Sequence, residues 1–113
     1  MTQEDKELLI KDLSSRLPYG VILECADLVG EELRTMTKEG LINNDYDIDE
    51  VKPMLFPRSS MTEEQKIEEY KLMNSNFYTS TVELSDFYNK NHIDWRGLIP
   101  LGLAKDATGL GIY

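Results

Sequence analysis

The sequence predicts a single α+β domain in which an N-terminal helix, a small antiparallel sheet and two helices of the C-terminal half are crossed by an apolar C-terminal tail. Three observations predict this class: helically spaced leucines near the start, a run of strand formers at residues 21–26, and helix-capping sequences at Thr62 and Ser80. The chain has 113 residues, of which 41% are hydrophobic, enough for one modest core.

The first helix is predicted over residues 3–16. Thr2 is a suitable N-cap, and the acidic residues that follow it place negative charge on the first turn, where the helix dipole favours it. Leu9, Leu13 and Leu17, together with Ile10, are predicted to share one face because of their four-residue spacing. Pro18 ends the helix, since the residue before a proline is disfavoured in the helical region.

The middle of the chain predicts strands. Residues 21–26 form the clearest one, and residues 31–38 and 40–44 are interpreted as two further strands, although the first of these segments also fits a helix that Gly40 would terminate. Residues 51–57 contain two prolines, which cannot donate to a sheet ladder. That segment is therefore expected to be an edge strand or an extended packing segment.

Two capped helices are predicted in the second half, over residues 63–74 and 81–90. The sequence TEEQ from Thr62 and the sequence STVE from Ser80 both match the capping box. The residues expected to face inward are Ile67, Tyr70 and Met73 in the first helix and Leu84, Phe87 and Tyr88 in the second.

The charge distribution limits the classes of partner. The net charge is −9, and residues 1–70 carry 17 acidic and 8 basic side chains, whereas residues 71–113 carry four of each. Such a surface repels phosphates, so no direct binding to nucleic acid is expected. It favours a basic partner or simply keeps the protein soluble. No apolar run approaches a membrane span and the first residues lack a signal-peptide pattern, so a cytoplasmic location is expected.

An acidic loop resembles the start of a calcium site. Asp45, Asp47 and Asp49 alternate, but the EF-hand pattern requires glycine and glutamate where this chain has Glu50 and Phe56. A solvated loop is the better interpretation, and no metal or cofactor is predicted.

His92 is the one candidate for acid–base catalysis. Glu83, Asp86 and Asp94 are near it in the sequence and could form a histidine–carboxylate pair. No nucleophile or stabiliser of developing charge accompanies them, and the single cysteine, Cys25, lies in a predicted strand as a small buried residue. No catalytic residue is therefore assigned.

The C-terminal segment holds the candidate interface. Trp, Tyr and Arg are the residues that most often anchor protein interfaces. The alternative is that the tail folds back and closes the core of its own chain, and a mixture of the two would leave an apolar rim. The interface candidates are Trp95, Arg96, Leu98, Ile99, Leu110, Ile112 and Tyr113.

Several segments together resemble a known group of sequences. They are residues 10–21, 47–57, 59–65, 91–99 and 102–104. They are similar to short proteins that are abundant in gut Bacteroidales genomes, their integrated mobile elements and their phages, a family with no assigned activity. The chain departs from that pattern in two places: the segment after Val21 is shorter, and Arg58 stands where the pattern has an apolar residue. The resemblance implies an intracellular α+β protein linked to mobile elements.

These observations lead to one hypothesis and two alternatives. The hypothesis is a small acidic cytoplasmic protein of mobile-element or phage origin that acts by binding a protein partner or a second copy of itself. One alternative is a hydrolase or transferase subunit that uses His92 and a carboxylate. The other is an acidic mimic of nucleic acid that inhibits a DNA-binding protein.

Overall fold

The computed structural model describes residues 1–27, 30–43, 46–74 and 77–113, and it confirms the α+β class. In chain order the elements are α1 (Gln3–Arg16), β1 (Ile22–Asp27), β2 (Gly30–Thr35), α2 (Lys38–Ile42), β3 (Val51–Pro57), α3 (Glu63–Met73), α4 (Phe77–Lys90), β4 (Ile93–Asp94) and β5 (Lys105–Asp106). Short 3₁₀ turns occupy Leu17–Tyr19 and Arg58–Ser60. None of the helices in these ranges has the length and apolar character needed to cross a bilayer.

The sheet is mixed, which corrects the expectation of an antiparallel one. Strand β1 runs antiparallel to both β2 and β3, whereas β4 and β5 each pair with β3 in parallel. Strand β3 is therefore a central strand, and the prediction of an edge strand or packing segment is wrong.

Pro53 of β3 is tolerated because of its register. The Met36 N–H donates to the Val21 carbonyl at 2.9 Å, so Val21 and Met36 form a hydrogen-bonded pair of the β1–β2 ladder. Such pairs alternate along the strand, which means that Leu23 also directs its peptide groups towards β2. Pro53 lies opposite Leu23 in β3, at a position where β1 requires no N–H donor.

Residues 38–42 form the helix α2, so the predicted strand at 40–44 is wrong. The Thr37 hydroxyl accepts the Gly40 N–H at 3.0 Å and caps this short helix. Gly40 lies inside the helix, not at its C-terminal end, so the alternative interpretation is wrong as well. A Cβ at Gly40 would lie 2.7 Å from the Tyr46 hydroxyl oxygen, which explains why this position has no side chain.

The capping predictions are confirmed for α1 and α3, and the one for α4 is wrong. Reciprocal capping boxes join Thr2 with Asp5 and Thr62 with Gln65. Helix α4 begins at Phe77, so Ser80 lies within the helix and does not cap it.

Within the described ranges, two apolar clusters hold the elements together. The larger one packs α1 against the sheet and the tail, and the smaller one lies among α3, α4 and β4. Their buried members are Leu9, Leu13, Val21, Leu23, Met36, Leu55, Leu98, Leu103 and Ala104 in the first and Met61, Phe87, Tyr88 and Ile93 in the second. The inward positions predicted for α4 are confirmed for Phe87 and Tyr88, and Leu84 is half-buried.

Candidate functional site

Tyr113 lies where strands β1 and β3 separate. The paired register stops at Leu23 and Pro53, so the next pair would be Ile22 with Met54. The Ile22 N–H donates to the Tyr113 hydroxyl at 2.8 Å, and that hydroxyl donates to the Met54 carbonyl at 2.7 Å. The phenol therefore takes the place of a backbone hydrogen bond and fastens the tail to the sheet of its own chain.

His92 packs against Tyr113. Their rings stack with centroids 3.7 Å apart, and the His92 backbone is left-handed, with φ of 58°. Burial lowers the pKa of His92 to about 4, and the nearby positive charge of Arg16 acts in the same direction. The imidazole is therefore neutral near pH 7.

A buried charge network joins α1 to the segment that follows α4. The Asp12 carboxylate accepts from Arg16 Nε at 2.8 Å and from Arg96 Nη1 at 2.8 Å, and both Asp12 and Arg16 are fully buried. Arg16 Nη2 also donates to the Ile93 carbonyl at 2.8 Å. Each charged group has an ion-pair partner, although the buried Nη1 of Arg16 has no hydrogen-bond partner in the described ranges. The network fixes the position of residues 93–96 on α1.

Trp95 is held by neighbours in its own chain. Its indole N–H donates to Asn89 Oδ1 at 3.0 Å, and its ring stacks on Tyr88 with centroids 5.9 Å apart. The Arg96 guanidinium lies 4.1 Å from the centre of the indole ring, in cation–π geometry. Trp95 and Arg96, which were predicted as interface anchors, thus contribute to packing within the domain.

The other tail candidates divide into buried and exposed residues. Leu98 is fully buried and Ile99 is partly buried, whereas Leu110 is 54% exposed. Ile112 is partly buried, and Tyr113 keeps part of its surface accessible although its hydroxyl is bonded. The tail docks in cis and leaves an apolar rim, and its role as an interface stays a prediction.

The carboxylates near His92 have other contacts or face solvent. Asp94 accepts the N–H groups of Leu98 and Ile99 at 2.8 and 2.9 Å, while Glu83 and Asp86 lie exposed on α4. In the described ranges, the buried Nδ1 of His92 has no hydrogen-bond partner. This geometry adds no support to the hydrolase hypothesis, which stays a prediction.

The acidic loop is stabilised by local contacts. Asp45 lies outside the described residues. Asp47 Oδ1 accepts the Asp49 N–H at 3.0 Å, and Lys6 forms an ion pair with Asp49 at 3.4 Å. Across the part of the chain that the structure describes, no three potential metal ligands cluster.

Helix α3 presents the largest departure from expectation. Its predicted inward residues point outward: Ile67, Tyr70 and Met73 are 55%, 69% and 55% exposed. Spaced three residues apart, they form an apolar stripe along one side of the helix, which we call the α3 stripe. The predicted orientation is therefore wrong, although the predicted bounds of the helix agree to within one residue at its end.

The reason for this orientation is a buried carboxylate on the side of α3 that faces the domain. Glu69 accepts two hydrogen bonds from Arg58, at 2.9 and 3.1 Å, and one from the Tyr88 hydroxyl at 2.7 Å. The Arg58 hydrogen bonds hold the pKa of Glu69 below its usual value, so the carboxylate stays charged. The positive charge of Arg58, 11 residues before Glu69, is the sequence feature that indicates a partner for this carboxylate.

Comparison with known proteins gives no family: no family model, no curated protein and no solved structure matches this chain. A proposal about function therefore rests on the chemistry of the surfaces described above.

Proposed function

We propose that this protein is a small acidic binding module whose α3 stripe inserts into an apolar groove of a partner protein. The observation that carries the proposal is the orientation of α3. The helix turns Glu69 towards the domain and Ile67, Tyr70 and Met73 towards solvent. A helix that buries a carboxylate and exposes apolar residues is expected where the apolar side binds another protein surface.

The spacing of the stripe fits a known mode of recognition. An amphipathic helix that binds a groove presents anchors three or four residues apart on one face. Tyr70 lies at the centre of the α3 stripe and is its most exposed member. A tyrosine in that position supplies a large, rigid contact with a polar end, as interface anchors commonly do.

The charge around the stripe indicates what kind of groove it fits. Glu64 and Glu68 are exposed on the same helix, and Glu63 pairs with Lys66 at 3.2 Å. Together with the net charge of −9, these groups favour a groove with a basic rim. Association is expected to slow as the ionic strength rises, because salt screens the attraction.

The cellular setting follows from the resemblance noted above. Similarity to short proteins of Bacteroidales mobile elements and phages suggests a cytoplasmic accessory protein of such an element. In that setting, the partner is a protein of the host or of the element itself.

The test begins with affinity capture of the tagged protein from its native host, followed by purification of any stoichiometric partner and calorimetric titration. The variant carries Ile67→Ser, Tyr70→Ser and Met73→Ser together. We expect its affinity for the partner to fall at least about 100-fold, which corresponds to about 2.8 kcal/mol. Its thermal unfolding should change little, because the three side chains are exposed.

Two control variants separate the α3 stripe from the tail. Val82→Ser removes an equally exposed apolar residue from α4 and should leave binding unchanged. Leu110→Ser alters the exposed rim of the tail. If the triple variant keeps the partner, the proposal fails; if Leu110→Ser alone loses it, the interface belongs to the tail.

A further inference from the structure

Strand β2 forms one edge of the sheet. It pairs with β1, and within the described ranges no strand pairs with its other side. The hydrogen bond between Met36 and Val21 sets the phase of this ladder, so the even-numbered residues of β2 direct their peptide groups towards β1. The N–H and C=O groups of Leu33 and Thr35 therefore point away from the sheet, where another strand can accept them.

We propose that two copies of this chain pair antiparallel along β2, with a two-fold axis that passes between the two Leu33 residues. Leu33 of one copy then exchanges both backbone hydrogen bonds with Leu33 of the second copy. The Leu33 side chain is 45% exposed in the single chain, and the pairing would place the two leucines side by side. The two sheets become one continuous sheet across the dimer.

The charges of Glu32 and Arg34 favour this register over the two adjacent registers. With Leu33 opposite Leu33, Glu32 of each copy lies opposite Arg34 of the other, and the two residues project on the same face. Sliding one β2 strand by two residues along the other gives the adjacent hydrogen-bonding registers. These registers place Glu32 opposite Glu32 in one direction and Arg34 opposite Arg34 in the other. Both neighbours juxtapose like charges, so only the central register is electrostatically favourable at these positions.

The side chains that would form the new ion pairs are accessible. Arg34 Nη2 donates to Glu32 Oε2 at 2.8 Å within the chain, and both side chains are more than half exposed, at 56% and 54%. An exposed ion pair contributes little to stability, so exchanging it for pairs across the two-fold axis has a small cost. The proposal is independent of the α3 stripe, because β2 and α3 are different elements with different neighbours.

Reversing single charges tests the register. Sedimentation equilibrium should show a concentration-dependent dimer for the unaltered chain. Glu32→Lys places basic residues opposite basic ones, and Arg34→Glu places acidic residues opposite acidic ones. Each variant alone should dimerise at least about tenfold more weakly, whereas an equimolar mixture of the two should recover the unaltered affinity, because each copy then meets opposite charges.

A backbone variant tests the edge itself. Leu33→Pro removes an N–H that points away from β1, so it should abolish the dimer and leave the circular dichroism spectrum unchanged. Ile67→Ser on α3 should leave the dimer intact. The proposal is overturned if the unaltered chain stays monomeric, if the charge variants dimerise as tightly as it does, or if their mixture shows no gain. Self-association that is lost only with the α3 variant would also overturn it.

Discussion

His92 combines three structural roles at one position. Its backbone is left-handed, its carbonyl accepts the Phe56 N–H at 2.8 Å, and its ring stacks on Tyr113. The carbonyl contact links the start of β4 to β3, and the stack covers the phenol that joins β1 to β3. A histidine in this environment serves the fold in its neutral form, because burial and Arg16 disfavour the imidazolium.

This environment predicts a loss of stability in mild acid. In the unfolded chain His92 titrates near its ordinary pKa of 6.5, whereas in the folded protein the pKa is about 4. As the pH falls from 6.5 towards 4, the unfolded state therefore binds the proton first and becomes favoured. Relative to a His92→Asn variant, we expect the free energy of unfolding to fall by up to about 2 kcal/mol between pH 7.5 and pH 5.

Asparagine is the appropriate replacement, since it tolerates a positive φ better than most residues. Urea unfolding at a series of pH values gives the comparison, and the other titrating groups cancel in the difference between the two proteins. Parallel pH profiles for the two chains would show that His92 does not titrate as described.

At the scale of elements, α3 shows how one ionic contact can rotate a helix. The apolar residues Ile67 and Tyr70 predict an inward face by their spacing, yet that face points to solvent. Arg58 and Tyr88 instead supply three hydrogen bonds to Glu69. A buried carboxylate without partners would be costly, so once these donors are in place they decide which side of α3 faces the domain.

Alanine substitutions on α3 test this orientation. Glu69→Ala leaves the buried Tyr88 hydroxyl and one side of Arg58 unpaired, and should lower the free energy of unfolding by about 1–3 kcal/mol. Glu68→Ala, at the exposed neighbouring position, should change it by less than about 0.5 kcal/mol. Ile67→Ala should also have a small effect, whereas a buried isoleucine would lose about 2–5 kcal/mol. Guanidinium unfolding measures the free energy of unfolding of all three variants. A larger loss of stability for Ile67→Ala than for Glu69→Ala would contradict the described orientation of α3.

The C-terminal tail joins elements that are far apart in the chain. The Tyr113 hydroxyl links residues 91 and 59 positions away, and Arg96 reaches Asp12 across 84 positions. These contacts close the domain around α1 and the sheet. Residues 98–113 are therefore part of the fold, and their exposed rim is what remains for other contacts.

Matched Tyr→Phe substitutions measure the contribution of the tail. Tyr113→Phe leaves the Ile22 N–H and the Met54 carbonyl without their shared partner, and should cost about 1–3 kcal/mol in the free energy of unfolding. Tyr70→Phe removes the same hydroxyl from an exposed position and should change little. Hydrogen exchange at the Ile22 amide should accelerate in the first variant alone. Equal stability of the two variants would mean that the hydrogen bonds of the Tyr113 hydroxyl do not stabilise the fold in solution.

Features that depend on residues close together in the chain were predictable from the sequence. The caps at Thr2 and Thr62, the bounds of α1 and a strand at 21–26, observed at 22–27, follow from residues within a few positions of one another, and each was predicted. The α+β class follows from the same local patterns.

The way these elements face one another depends on contacts between residues that are far apart in the chain. Which side of α3 is buried depends on Arg58 and Tyr88, 11 and 19 positions from Glu69, and the place of the tail depends on a gap between β1 and β3 that Tyr113 fills. The α3 stripe could be identified as a surface only once the contacts of Glu69 were known, and the β2 edge only once the strand order was known. The periodicity of a sequence indicates that a helix or strand is amphipathic. Which of its faces is buried depends on contacts with residues in distant parts of the chain.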